Sequence, residues 1–286
     1  MAPTVRQGWG NRKTSGDEHM RKTLVMGALG AMLAAAPAAA ADGVSPDNLD
    51  YLTNFAVTPL RVLGQPITWK GTDWAIAGAA AAGLGGLFLL DESIKSFVQD
   101  NRSSTTNSIA DIFTPFGETY YMAGASVVLW AAGEMTDNVR LQRVGLNAVQ
   151  AILTAQMLTQ ATKYIGGRIR PASTDDSWEF FSSSDSADSF GSGHVATAFA
   201  FATVVSQEYK KDHPWVPYVA YSIAGGTAFA RMNDNRHWAS DTAIGALWGI
   251  GAGWMVDKYS PFRDERIKLM PMVAQGGMGV TGHVKF

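Results

Sequence analysis

The chain has 286 residues, 47% of them hydrophobic and 17% charged, which is enough apolar material for one large core and too little charge for extended disorder. A formal net charge of -2 at pH 7, with no basic stripe, argues against nucleic acid as a partner. The absence of cysteine excludes disulfides, thiolate nucleophiles and cysteine-ligated zinc or iron.

At the start of the chain, Met20, Arg21 and Lys22 precede an uncharged run from Thr23 to Ala41 that ends in four alanines. A basic region, a short apolar stretch and an A-x-A ending predict a cleavable secretory signal over residues 1–41, cut after Ala40 or Ala41, with Met20 as an alternative start. A membrane anchor is the weaker reading, because the apolar part falls short of the roughly 20 residues that a span needs. Removal of the signal leaves an acidic protein, with export to the periplasm as the expected location.

Residues 42–73 read as an N-terminal helical and loop extension, in which Leu49, Leu52, Phe55 and Ala56 form a stripe that packs across later helices. Apolar stretches at 74–90, 119–133, 144–162, 194–207, 214–230 and 242–256 are too long for strands and rich in Ala, Leu, Gly, Trp and Met. They predict an all-α helical bundle occupying residues 74–260. Arg102 to Asn107, Ser173 to Ser189 and Lys210 to Pro214 have loop compositions, and the second of these is long enough to suggest function. The tail, 261–286, alternates around Gly276-Gly277 and predicts a short β-hairpin. Several apolar stretches are only 14–17 residues between polar neighbours, and Asn147, Gln150, Gln156, Gln160 and Thr162 interrupt the longest. That pattern favours a soluble core, with a membrane-embedded or peripheral protein as the alternative. Nothing in the sequence speaks to oligomeric state.

Three polar clusters stand where loops meet apolar helices: Lys163 with Arg168, Arg170 and Pro171; Gly191-Ser192-Gly193-His194; and Arg231 with His237 and Asp241. Cations at the ends of apolar helices call for an anion. Loop carboxylates at 175, 176, 185 and 234 could supply it, but as a trio Lys163, Arg170 and Arg231 suit a phosphate or vanadate dianion better. Ser192 precedes an apolar helical run, so the Ser192 and Gly193 segment should form a helix N-terminus, where backbone N–H groups and the dipole favour an anion. His194, in the first turn, should have a lowered pKa that a bound anion would restore. His237 and Asp241, four residues apart, are expected on one helix face, where the carboxylate could hold one ring nitrogen and sharpen the other.

Taken together, Lys163-x6-Arg170-Pro171, Ser192-Gly193-His194 and Arg231-x5-His237-x3-Asp241 resemble the three-part signature of the type 2 phosphatidic acid phosphatase (PAP2) and haloperoxidase superfamily. The family usually has Pro where Gly191 stands and Ser where Ala230 stands. The resemblance implies a helical phosphatase in which His237 attacks phosphorus, Asp241 orients it and His194 protonates the leaving alcohol. It also implies that Lys163, Arg170, Ser192, Gly193 and Arg231 hold the phosphoryl oxygens, with Arg168 in reserve. No metal or other cofactor is expected; vanadate enters only under the rival reading of a vanadium haloperoxidase, and a second rival is an envelope protein with an impaired site. The substrate is expected to be a phosphorylated lipid or a small phosphate ester, and membrane association stays open.

Overall fold

The computed structural model describes residues 48–262 together with strand segments 267–274 and 277–284. The expected signal sequence and the start of the extension lie outside the described residues. Among the described residues eight α-helices follow in order: α1 (Leu49–Gly64), α2 (Gly71–Asp100), α3 (Ser104–Phe113), α4 (Thr119–Met135), α5 (Val139–Gly166), α6 (Gly193–Tyr209), α7 (Val216–Asn233) and α8 (Ala239–Tyr259). The protein is a helical bundle, as its apolar stretches predict. Ile267–Ala274 and Gly277–Val284 pair antiparallel with Ile267 opposite Val284.

The helix ends follow local chemistry. Asn48 caps α1 by accepting from the Tyr51 N–H at 3.1 Å. Buried Tyr51 then donates its hydroxyl to the Leu146 carbonyl, and Asn54 donates to the Tyr259 carbonyl, so α1 lies across α5 and the end of α8. The Arg102–Asn107 stretch, expected as loop, instead starts α3: Ser103 and Thr106 satisfy each other's backbone N–H groups in a capping box. Serine and threonine serve caps as readily as turns, so composition alone misread them.

Helix α2 also departs from expectation, continuing past residue 90 through Asp91, Glu92 and Lys95 to Asp100. At about 1.5 Å per residue it is roughly 45 Å long. Among the described residues it is the one helix long and apolar enough to cross a membrane. Its hydrophobic side chains are largely exposed, Trp74, Ile76, Leu89 and Leu90 among them. Its one fully buried residue is a carboxylate, Asp91. The shortness of the 74–90 run, which favoured a soluble core, therefore does not describe the helix.

The core forms where α6 meets α5 and α8, from small residues: Ala148, Ala151, Ile152, Ala155, Ala196, Ala200, Val204, Ala252 and Val256. Gly245, Gly249 and Gly253 line one side of α8, and a Cβ on Gly249 would sit 2.5 Å from the Ala196 carbonyl. These glycines let the α8 backbone close on α6. The approach brings the two N-termini together, with the Ser192 N–H donating to the Asp241 carbonyl at 3.0 Å. At this same end α5 stops at Gly167, whose φ of +49° suits glycine and whose N–H returns to the Lys163 carbonyl.

Candidate active site

One end of the bundle gathers the last turns of α5 and α7, the first turns of α6 and α8, and the segment 168–192 between α5 and α6. That segment is pinned to its own stem: Ser189 N–H donates to the Arg168 carbonyl, Ile169 N–H to Glu179, and Phe181 and Ser182 N–H to Gly166 and Gly167. A long loop with satisfied backbone groups can hold side chains in fixed positions.

His237 sits just before α8, 5% exposed. Its Nδ1 lies 3.0 Å from the Ser189 carbonyl, which can only accept, so Nδ1 carries the proton and Nε2 keeps its lone pair. Burial depresses the imidazole pKa well below its usual value, and the charges of Arg170, Lys163, Arg231 and His194 push the same way. His237 is therefore neutral, and the three cations and second histidine expected from sequence converge on it.

Asp241 corrects the expectation of a histidine–carboxylate pair on one helix face. His237 precedes the helix, and Asp241 Oδ2 stands 3.9 Å from Nδ1, beyond hydrogen-bond range. The carboxylate instead accepts from Ser189 Oγ at 2.6 Å and from the Trp238 N–H at 3.0 Å. It thus fastens the residue whose carbonyl holds His237 and the residue that follows His237. Complete burial pushes its carboxyl up to about 6, against the pull of Arg168 and the Ser189 hydroxyl.

Ser192 caps α6, its hydroxyl 3.5 Å from the Val195 N–H, and Gly193 begins the helix, as expected. Gly191, where the family that the sequence resembles usually has Pro, adopts φ +82°, a value closed to Pro. A Cβ there would also approach Thr162 Oγ1 to 2.8 Å. This chain therefore reaches the helix N-terminus by a left-handed glycine turn. His194 points its Nε2 at Glu118 Oε1, 3.3 Å away. Burial lowers its pKa, and Glu118 opposes that shift.

The cations differ in how they are held. Lys163 forms no ion pair with any described residue, and burial lowers its pKa. Arg231 reaches Asp234 at 3.1 Å, one of the carboxylates expected from sequence. Arg170 is gripped by both oxygens of Asp188, which is half exposed and could yield to a competing anion. Arg168 is a correction: wholly buried, it donates to the Ser177 carbonyl, Ser240 Oγ, Asp241 Oδ1 and Asp91 Oδ2, leaving nothing for a ligand. Its guanidinium also lies 5.0–5.2 Å from the ring centroids of Phe88, Phe180 and Trp238.

Sequence reasoning missed Glu118, Asp188, Ser189, Ser240 and Asp91. Asp91 left a signal, a carboxylate directly after an apolar run, whereas Glu118 and Ser189 reach the site only through the fold. Among the described residues no group of three His, Asp or Glu side chains is placed to hold a metal ion.

Convergent cations, a helix N-terminus and two histidines have the chemistry that suits a tetrahedral oxyanion. Residues 145–264 match the family model described as the PAP2 superfamily. The lipid A 1-phosphatase of Porphyromonas gingivalis is 40% identical over 111 residues, 37% of this chain and 22% of its own length. The match thus spans about a fifth of that relative. The crystal structure of Aquifex aeolicus LpxE has 20% identity and a TM-score of 0.46, covering 59% of this chain and 96% of its own. That of the transmembrane PAP2 type phosphatidylglycerolphosphate phosphatase of Bacillus subtilis has 19% identity and a TM-score of 0.48, covering 74% and 94%.

Proposed function

We propose that the protein is a metal-independent phosphatase that hydrolyses the phosphomonoester of a lipid through a phosphohistidine on His237. The observation that carries this reading is the His237 tautomer: Nδ1–H is committed to the Ser189 carbonyl, so Nε2 keeps its lone pair as a nucleophile on a ring that feels the charge of all three cations. Nε2 attacks phosphorus and the P–O bond to the alcohol breaks. His194, protonated once a phosphoryl dianion offsets the surrounding positive charge, gives its proton to the departing oxygen. Water then attacks phosphorus, His194 takes its proton back, and the P–N bond breaks to release phosphate and restore His237. Lys163, Arg170, Arg231, Ser192 and the Gly193 N–H hold the three non-bridging phosphoryl oxygens, where charge spreads in the transition state. Asp241 steadies His237 through Ser189 and Trp238 and keeps a negative charge near Nδ1 as the ring becomes cationic.

A lipid substrate is supported by the name of the Porphyromonas relative and by the surface at the end of α5, where Tyr164 and Ile165, which follow Lys163, and Phe181, bonded to Gly166, are exposed. The apolar, exposed face of α2 supports association with a membrane after export. The test is phosphate release by purified protein in EDTA, from a lipid phosphate and from p-nitrophenyl phosphate. Turnover in EDTA that His237→Ala abolishes supports the reading; the same turnover by the variant contradicts it.

A further inference from the structure

We infer that Asp91 is a positioning residue of this centre, holding His237 in register through Arg168 and Asp241. Asp91 lies on α2, outside the segment that matches the family model. Its Oδ2 takes Arg168 Nη2 at 2.7 Å, and its Oδ1 takes the Ser240 N–H at 2.9 Å. Arg168 Nη1 passes to Asp241 Oδ1 at 2.8 Å, and Asp241 Oδ2 holds Ser189 and Trp238, the residues that fix the imidazole from either side. Asp91, Arg168, Ser240 and Asp241 are all 0% exposed. Bonds in such a shell are short, directional and unscreened, so a displacement at one end reaches the other.

The charge matters as well as the shape. Two buried carboxylates share one guanidinium, so Arg168 is not spent on Asp241 alone and the cluster keeps a net negative charge beside His237. The charged groups acting on the imidazole are Arg170, Lys163, Arg231 and His194, and Lys163 also feels Asp241. The same turn of α2 also fastens the loop before the site: Glu92 accepts from the N–H and hydroxyl of Ser177, and Lys95 donates to the Thr174 carbonyl and Asp175. The active site is thus incomplete without the apolar helix that borders it.

The kinetic arm of this inference rests on the phosphatase reading; a spectroscopic arm does not. Asp91→Asn keeps the side-chain shape and removes the charge. In the full-length protein, kcat for p-nitrophenyl phosphate in EDTA should fall about 10- to 100-fold with KM changed less than about threefold, as expected for a misplaced nucleophile. The acid limb of kcat should move to lower pH, because Asp241 ionises more easily once the second carboxylate is neutral. In 15N-histidine-labelled protein, the Nδ1–H resonance of His237, identified by its absence in His237→Gln, should shift or broaden. A lower melting temperature with kcat, acid limb and resonance all unchanged would overturn the inference. Should Asp91→Asn fail to fold, Ser240→Ala removes one link and leaves both ion pairs; it should lower kcat about three- to tenfold and move the same resonance, and no change in either would equally overturn it. If the wild-type protein releases no phosphate, the phosphatase reading fails and the resonance alone decides.

Discussion

Replacing Arg168 by Met would leave the carboxylates of Asp91 and Asp241 buried with their shared countercharge gone, since both pair with it at 2.7–2.8 Å and all three are fully enclosed. Removing one partner from such a network costs about 3–5 kcal/mol. For a bundle of this size, at roughly 2–4 °C per kcal/mol, the melting temperature should drop by about 6–20 °C. The loss should depend on pH, with a definite sign. Burial already raises the Asp241 carboxyl to about 6, above its unfolded value, and without the guanidinium that rise goes unopposed. Above about 6 the folded variant binds a proton that folded wild type releases, so its deficit shrinks as pH falls from alkaline values toward about 6, levels off below that, and is larger at pH 8 than at pH 5. Thermal unfolding of the full chain followed by circular dichroism, wild type against variant at pH 5 and pH 8, measures both. A deficit under about 1 kcal/mol, or the same deficit at both values, would refute the role given to Arg168.

Two further outcomes follow from the site. Glu118→Gln removes the partner that opposes the low pKa of His194, so the basic limb of kcat should move to lower pH, as a pH–rate profile would show. Gly191→Pro brings the chain nearer to the family pattern yet forces φ from +82° toward about -65°. It should cost more than about 1 kcal/mol in thermal unfolding and lower kcat at the same time.

The helices could be read from the sequence because each apolar stretch exceeds a strand's length. Their ends could not, since Ser103 and Thr106 look like turn residues until their capping bonds are seen. The three polar clusters could be read as neighbours because each stands at a helix end, and the fold puts their charged groups around His237. The role of Asp241 was misjudged because spacing i, i+4 implies a shared face only within a helix, and α8 starts at Ala239, after His237. Arg168 and Arg170 look alike in sequence; only packing separates a guanidinium sealed among Asp91, Ser240 and Asp241 from one held by half-exposed Asp188. Contacts such as Asp91 to Ser240, 149 residues apart, leave no local pattern at all.

The central claim is that His237 Nε2 forms a bond to phosphorus. Brief reaction with a 32P-labelled phosphomonoester, an alkaline quench and peptide mapping test it directly. The account predicts alkali-stable, acid-labile label on the peptide carrying His237, absent in His237→Ala; label on the His194 peptide, or rapid turnover with no label on any histidine, would contradict it.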